Sequence, residues 1–192
     1  DRTIETVLNL HSQGISTAPH LSCVGGTRQE IGELLDLYRE HGINRIVALR
    51  GDMPSGMGAA GELRYANELV EFIREHSGDT FNLEVAAYPE FHPQARNAEE
   101  DLKTFARKVQ AGANSAITQY FFNADSYFYF IDRLEKMGVT IPVVPGIMPI
   151  VNFSNLVRFS DMCGAEIPRW IRKQLEAYGD DSDSIRKFGE EV

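Results

Sequence analysis

Apolar and polar positions follow one repeated order along this chain: an amphipathic helix, a glycine, and a short apolar run that ends in polar residues. The clearest helix starts at Thr27, where Thr27 and Glu30 match a capping box, and it stops at Gly42. The apolar residues 43–49 follow at once and have the length of a strand. This order predicts repeated βα units.

Two later segments repeat the same order. One helix is predicted from Asn97 to Gly112 and another from about Asp125 to Gly138, and each is followed by an apolar run. A further helix is predicted over residues 167–178. The predicted strands are residues 16–23, 43–49, 83–88, 116–119 and 141–144.

Strands that are apolar along their whole length, with helices between them, are typical of parallel sheets covered on both faces. A (β/α)₈ barrel and a doubly wound sheet both satisfy this pattern. A complete TIM barrel has eight strands in about 250 residues, so a chain of 192 residues with five predicted strands would be a partial barrel. We expect one domain over residues 1–192, because no linker or low-complexity segment interrupts the pattern.

Composition narrows the class of partner. The formal net charge of −9 disfavours nucleic acid and anionic membranes, since both attract clustered lysine and arginine. Cys23 and Cys163 are too few for a disulfide framework and lack the spacing of a zinc site, so we expect a cytoplasmic protein without a metal. No apolar stretch has the length of a membrane span. The expected partner is a small molecule or another protein subunit.

Polar residues stand where the predicted strands end. His20, Arg50, Asp52, Tyr88 and Gln119 belong to four successive strand ends, and such ends carry the working groups of parallel α/β folds. Each has a local explanation as well: Arg50 could pair with Asp52, His20 could be a buried imidazole, and Gln119 could cap a loop. Polar groups at four successive strand ends together favour a ligand site.

Two further features bear on the ligand. The segment after Asp52 is rich in glycine, yet it matches neither the dinucleotide-binding fingerprint nor the phosphate-binding loop. Arg96, Arg107 and Lys108 form a local basic group in an acidic chain, which suits an anionic ligand such as a pyrophosphate. A solvated helix face is the alternative for this group.

Five strand-end motifs in this order resemble the family of bacterial methylenetetrahydrofolate reductases: Ala18-Pro19-His20-Leu21, Leu49-Arg50-Gly51-Asp52, Tyr88-Pro89-Glu90 with His92-Pro93, Ala116-Ile117-Thr118-Gln119 and Pro145-Gly146-Ile147-Met148-Pro149. Order and spacing agree over nearly the whole chain. The resemblance implies a (β/α)₈ barrel that binds FAD at the carboxyl ends of its strands. It also implies reduction of 5,10-methylenetetrahydrofolate to 5-methyltetrahydrofolate with NADH or NADPH.

The resemblance also assigns roles to residues. Asp52 is the catalytic candidate, since its carboxylate would hydrogen-bond the pterin and favour the cationic iminium form of the substrate. Flavin contacts would come from His20, Arg50, Gly51, Asp52, Tyr65, Ala66, Tyr88, His92, Ala95, Asp101, Thr104, Arg107 and Lys108. Substrate contacts would come from Asp52, Gln119, Asn155 and Phe159. Thr104 stands where a related enzyme has Asn, and Asn155 replaces a longer Gln.

The resemblance further implies that the first two strands and the last strand of the barrel lie outside this chain, which is therefore expected to be a piece of a homo-oligomeric enzyme. The general acid of the family, a glutamate on the first strand, would lie outside it too. Glu90 is not taken as that acid, because the resemblance puts it in a flavin-side loop. Two alternatives remain: a flavin- or folate-binding remnant without catalysis, and a barrel enzyme that acts on a phosphorylated metabolite.

Overall fold

A computed structural model describes residues 2–52 and 61–192. Its strands are β1 (His20–Ser22), β2 (Arg45–Leu49), β3 (Asn82–Ala87), β4 (Ser115–Tyr120) and β5 (Val143–Gly146). Its helices are α1 (Arg2–Ser12), α2 (Arg28–Glu40), α3 (Ala66–Ser77), α4 (Ala98–Gln110), α5 (Ala124–Lys136), α6 (Phe153–Cys163), α7 (Arg169–Tyr178) and α8 (Ser182–Glu191). The predicted glycine-rich loop lies, except for Gly61, outside the described residues.

The strands form one sheet in the order β1-β2-β3-β4-β5, with a helix between each strand and the next. The registered pairs β1–β2 and β2–β3 are parallel. A doubly wound sheet reverses its strand order at a switch point, whereas this order never reverses. The predicted partial (β/α)₈ barrel is therefore confirmed, and the doubly wound alternative is wrong.

The chain divides into two compact units. Unit 1 consists of residues 1–86 and 105–116, and unit 2 of residues 87–104 and 117–192. The boundaries between them fall within β3, α4 and β4. The expectation of a single domain stays a prediction.

The three strands of unit 1 have two unlike faces. Register places Leu21 beside Ala48 and Ala48 beside Val85, and all three are buried. Residues of the opposite face are more polar. There the Arg45 guanidinium forms an ion pair with the Glu84 carboxylate, which is buried. This ion pair thus lies on the face opposite to Leu21, Ala48 and Val85.

Local sequence determines where α2 begins. Thr27 Oγ1 accepts a hydrogen bond from Glu30 N at 3.2 Å, and the Glu30 carboxylate accepts one from Thr27 N at 2.9 Å. The predicted capping box is confirmed. These hydrogen bonds hold the pKa of Glu30 below its usual value.

Thr27→Ala is expected to lower the free energy of unfolding by about 1 kcal/mol, because a helix N–H loses its acceptor. Thr27→Ser, which keeps the hydroxyl, should retain most of the stability in urea denaturation. The lowered pKa of Glu30 stabilises the fold at pH values above the pKa of Glu30 in the unfolded chain. The difference in stability between the wild type and Thr27→Ala should therefore shrink as the pH falls through the pKa of Glu30 in the folded protein. A difference that stays constant down to acidic pH would contradict this coupling.

Arg74 joins distant parts of unit 1. Its guanidinium donates to the carbonyl oxygens of Gly112 at 2.7 Å, Gly78 at 3.0 Å and Phe81 at 2.9 Å, and to Asn114 Oδ1 at 2.6 Å. The side chain is largely buried. One cation therefore satisfies carbonyl groups at the end of α3 and in the turn between α4 and β4.

The core of unit 2 is built from β4 and the last three helices. Its buried members are Tyr120, Ile150, Leu156, Ala165, Ile167, Ile171, Leu175, Ile185 and Phe188. The acidic segment 179–183 leads into α8, where Asp181 Oδ1 accepts a hydrogen bond from Ser184 N at 3.2 Å. In the described ranges, no helix is both long and apolar enough to cross a membrane.

Candidate active site

His20 does not lie at the carboxyl end of β1. It was grouped with the strand ends, but backbone hydrogen bonds to β2 continue from Pro19 through Cys23 to Val24. His20 is instead the first residue of the strand, level with Val47 in the middle of β2, and it is exposed. The predicted position is therefore wrong, because an apolar run does not show which of its residues ends the hydrogen-bonded ladder. The buried-imidazole alternative for His20 is wrong as well.

The ends of β1 and β2 are bonded to each other. Ser22 Oγ donates to Arg50 O at 2.9 Å, and Val24 N donates to the same oxygen at 3.0 Å. Gly51 follows with a φ of 83°, and a Cβ there would overlap Ser22 Oγ. Only glycine fits this position, which turns the chain and leaves Asp52 exposed.

Among the described residues, Arg50 does not form the ion pair with Asp52 that was its local alternative. Its Nε donates to the Gly51 carbonyl oxygen at 3.2 Å, which makes the guanidinium part of the same turn. Cys23, beside this turn, is fully buried, and burial raises the pKa of its thiol. Both cysteines are free thiols.

The segment after Gly61 is held against the start of α2. A Cβ on Gly61 would lie 2.6 Å from Gly26 O, so the two backbones are in close contact. Glu62 Oε2 accepts a hydrogen bond from Arg28 N at 2.6 Å, which places a carboxylate at the N-terminus of α2. Tyr65 caps α3, its side chain is 56% exposed, and Ala66 is the first helical residue.

Arg107 and Lys108 lie on different sides of α4. Arg107 is exposed and lines an open groove with Glu71 and Arg74 of α3. Lys108 is buried, and its ammonium group donates to the Ala86 carbonyl oxygen near the carboxyl end of β3. Consecutive helical residues point about 100° apart. The expectation that Arg107 and Lys108 both bind the phosphates of one ligand therefore stays a prediction.

In unit 2, the segment after β3 is organised by His92 and Asp101. The rings of Tyr88 and His92 meet edge to face, with centroids 4.6 Å apart. His92 N donates to Asp101 Oδ2 at 2.9 Å, and His92 Nδ1 accepts from Gln94 N at 3.0 Å. In a neutral imidazole the other nitrogen, Nε2, then carries the proton. Three predicted flavin residues, Tyr88, His92 and Asp101, thus lie together in the loop after β3 and the first turn of α4.

Two other predicted residues of this loop and helix have local roles. Ala95 N donates to His92 O at 2.8 Å and closes the turn before α4. Thr104 Oγ1 donates to Glu100 O at 2.9 Å within α4. The Thr104 hydroxyl proton is therefore engaged by its own helix, so only its oxygen could still accept a hydrogen bond from a ligand.

Gln119 and Tyr88 line one small cavity of unit 2, together with Pro89, Glu90, Phe91, Tyr120, Cys163, Gly164 and Ala165. Gln119 Oε1 accepts a hydrogen bond from Tyr120 N at 3.0 Å, which differs from the predicted capping of a neighbouring loop. This contact fixes the amide and leaves its NH₂ group as the donor. A donor of this kind can bind a carbonyl oxygen of a pterin or of an amide.

Asn155 and Phe159 share the exposed face of α6, as their spacing of four residues requires. Phe159 is 43% exposed, and the Arg158 guanidinium lies 5.3 Å from its ring centroid. Asn155 N donates to Asn152 Oδ1 at 2.9 Å in the first turn of the helix. The ring of Phe159 is therefore accessible for stacking.

The sequence did not indicate two hydrogen bonds of residues that line the cavity of Gln119 and Tyr88. Tyr120 and Ser160 share a hydrogen bond of 2.9 Å between their hydroxyl oxygens, and Glu90 Oε2 accepts from Glu166 N at 2.8 Å. Burial raises the pKa of Tyr120 to about 12. Both contacts join residues at least 40 positions apart, which no local pattern could reveal.

Sequential parallel strands with polar groups after their carboxyl ends define the class of the chain, a (β/α)₈-barrel protein whose candidate ligand groups lie at those ends. A family model for methylenetetrahydrofolate reductase matches residues 1–192. The chain belongs to the methylenetetrahydrofolate reductase family, and the predicted resemblance is confirmed.

Two named relatives support the same family assignment. The 5,10-methylenetetrahydrofolate reductase of Escherichia coli (strain K12) is 40% identical over 193 aligned residues, which cover 100% of this chain and 64% of that protein. The methylenetetrahydrofolate reductase (NADH) 1 of Zea mays is 35% identical over 188 residues, which cover 91% of this chain and 32% of that protein. This chain thus spans less than two thirds of the length of either relative.

A solved structure has a similar fold. It is an uncharacterized protein from Clostridium thermocellum, described as binding two copies of 5-methyl-5,6,7,8-tetrahydrofolic acid. The TM-score is 0.59, the identity is 17%, and the match covers 95% of this chain and 64% of that one. At this identity the likeness concerns the fold alone.

Proposed function

We propose that the protein reduces 5,10-methylenetetrahydrofolate to 5-methyltetrahydrofolate, with FAD as cofactor and NADH or NADPH as the electron donor. The observation that carries this proposal is the family match over residues 1–192, together with strand-end residues of the kind the reaction needs. We further propose a cytoplasmic homo-oligomer that binds neither nucleic acid nor membranes.

The groups available in each unit fit a flavin nucleotide. In unit 1, the Arg107 guanidinium is exposed and the Lys108 ammonium brings positive charge to the carboxyl end of β3, as a diphosphate requires. In unit 2, the tyrosine and histidine rings of the loop after β3 offer edges to a planar ring. When bound, FAD would supply the hydride that reduces the folate.

The residues of the chain would bind and orient the substrate. Asp52 is exposed after a rigid turn, so its carboxylate can accept hydrogen bonds from the pterin and stabilise a positive charge on the substrate. Gln119 would donate from its amide nitrogen, to folate in one half-reaction and to the nicotinamide amide in the other. Phe159 would stack on the aminobenzoate or on the nicotinamide.

The rim that His20, Asp52, Tyr88 and Gln119 would share around the flavin is part of this proposal. The first two residues belong to unit 1 and the last two to unit 2. The proposed contact of His20 is made from mid-strand, by an exposed imidazole.

The visible spectrum tests the flavin. Purified full-length protein titrated with FAD is expected to show the absorbance bands of a protein-bound flavin, whereas titration with a sugar phosphate should leave FAD binding unchanged. Competition by the sugar phosphate would favour the alternative enzyme that acts on a phosphorylated metabolite. A protein that binds no FAD at saturating concentration would contradict the proposal.

Folate binding without turnover is the second candidate, because the resemblance matches no residue of this chain to the general acid of the family. Stopped-flow mixing of the photoreduced protein with methylenetetrahydrofolate separates the two. A reductase should reoxidise its flavin, whereas a binding protein would leave it reduced.

A further inference from the structure

Glu90 connects two loops of unit 2. It follows Tyr88 and Pro89 after β3, and its Oε2 accepts a hydrogen bond at 2.8 Å from Glu166 N, 76 positions later and just beyond α6. Its other oxygen, Oε1, is buried and bonded to no described protein group. The side chain lines the same cavity as Tyr88 and Gln119. One carboxyl group thus connects the loop after β3 to the end of α6.

Two further contacts hold α6. Ser160, next to Phe159 in the sequence, shares its hydrogen bond with the Tyr120 hydroxyl of β4. At the end of the helix, a Cβ on Gly164 would lie 2.8 Å from Pro93 Cγ, so the loop after β3 packs closely against the helix terminus. The helix that presents Phe159 is therefore fixed both to β4 and to the loop that carries Tyr88.

We propose that Glu90 is a positioning residue, which through Glu166 N keeps α6, and with it Phe159, in place relative to Tyr88 and Gln119. The role rests on the proposed reductase function, since it concerns the residues assigned there to flavin and folate. Glu90 itself donates no proton to the substrate in this proposal.

The surroundings of Glu90 favour its neutral form. The groups that face it are Tyr120 from β4, Cys163 from the end of α6 and Glu166 from the next segment, and none of these carries a positive charge. Burial raises the pKa of Glu90, the negative charge of Glu166 adds to this, and the hydrogen bond from Glu166 N opposes it.

The raised pKa of Glu90 determines how the stability of the fold changes with pH. A carboxyl whose folded pKa is raised stabilises the fold fully below its unfolded pKa, and this contribution is lost as the pH rises through the folded pKa. Glu90→Gln keeps an acceptor for Glu166 N and cannot ionise. As the pH rises through the pKa of Glu90 in the folded protein, the free energy of unfolding of the wild type should therefore decline relative to that of Glu90→Gln.

The test compares Glu90→Ala, Glu90→Gln and Glu166→Gln in full-length protein. Glu90→Ala should raise the KM for methylenetetrahydrofolate roughly fivefold, the effect of one lost hydrogen bond, with a smaller change in FAD affinity. Glu90→Gln should restore the KM. Glu166→Gln keeps the backbone donor and removes only the nearby charge, so its KM should equal that of the wild type.

Hydrogen exchange gives a readout that needs no activity. Amides of α6 should lose protection roughly fivefold in Glu90→Ala, and keep it in Glu90→Gln, if the contact holds the helix. Urea denaturation followed by circular dichroism at several pH values compares the stability of each variant with that of the wild type.

The outcomes are distinguishable. If the wild type reduces folate and Glu90→Ala has an unchanged KM, the positioning role is overturned even if stability falls. If the wild type does not reduce folate, the proposed function fails, and equal α6 protection in Glu90→Ala and Glu90→Gln then overturns the positioning role separately. Selective loss of protection in Glu90→Ala would support it, together with a raised KM if the wild type reduces folate.

Discussion

Gly51→Ala is expected to lower the free energy of unfolding by about 3 kcal/mol, since it combines backbone strain with overpacking. Gly51 has a φ of 83°, in the left-handed region that residues with a Cβ avoid. The new Cβ would overlap Ser22 Oγ and lie 3.0 Å from Ser22 Cβ. Urea denaturation followed by circular dichroism measures the loss.

Gly14 provides a matched control. Its φ is 82°, almost equal to that of Gly51, but nothing lies within 4 Å of the position its Cβ would take. Gly14→Ala should therefore cost only the backbone strain, about 1 kcal/mol. Ser22→Ala, combined with Gly51→Ala, should recover part of the larger loss. Equal losses for the two glycine variants would show that Ser22 does not restrict Gly51.

Asp52→Asn is expected to keep FAD binding but to slow folate reduction more than tenfold, a loss of over ~1.4 kcal/mol of transition-state stabilisation. The amide keeps the size of the side chain and one acceptor oxygen, whereas it lacks the charge that would stabilise a cationic iminium. The measurement is the rate at which methylenetetrahydrofolate reoxidises the photoreduced enzyme.

Asp79→Asn is the control for this change. Asp79 also belongs to unit 1, and its side chain is fully exposed. The same loss of one charge there should leave the rate unchanged. If Asp52→Asn turned over folate at the wild-type rate, Asp52 would lose its assigned role while the flavin site could stand.

The fold could be predicted wherever neighbours in sequence determine it. The capping box at Thr27 is confirmed, because it needs only residues within one helical turn. The helix predicted from Asn97 likewise begins beside that residue, whose Oδ1 accepts a hydrogen bond from Glu100 N at 2.9 Å. Each of the five apolar runs overlaps a strand. The sheet's direction and order then follow from the helices that separate the strands.

Strand register could not be predicted in the same way. His20 was expected at the end of β1, yet it pairs level with Val47, and the ladder continues to Val24. An apolar run is compatible with several registers, and hydrogen bonds to the next strand select one of them.

Parts of the candidate site depend on packing that the motifs do not contain. Arg107 and Lys108 were grouped by charge, but helix geometry exposes one and buries the other against Ala86. Glu90 was set aside by the resemblance, and its partner Glu166 lies 76 positions away. Contacts of this range become visible only once the strands and helices are assembled.

The contacts of Arg74 have a consequence for synthesis on the ribosome. Its nearer acceptors, Gly78 and Phe81, emerge almost with it, whereas Asn114 follows 40 residues later. Nascent chains fold as their segments emerge from the N-terminus. Until the turn after α4 has emerged, the Arg74 guanidinium retains part of its water shell. Unit 1 is therefore expected to complete its folding late and to need protection from aggregation until then.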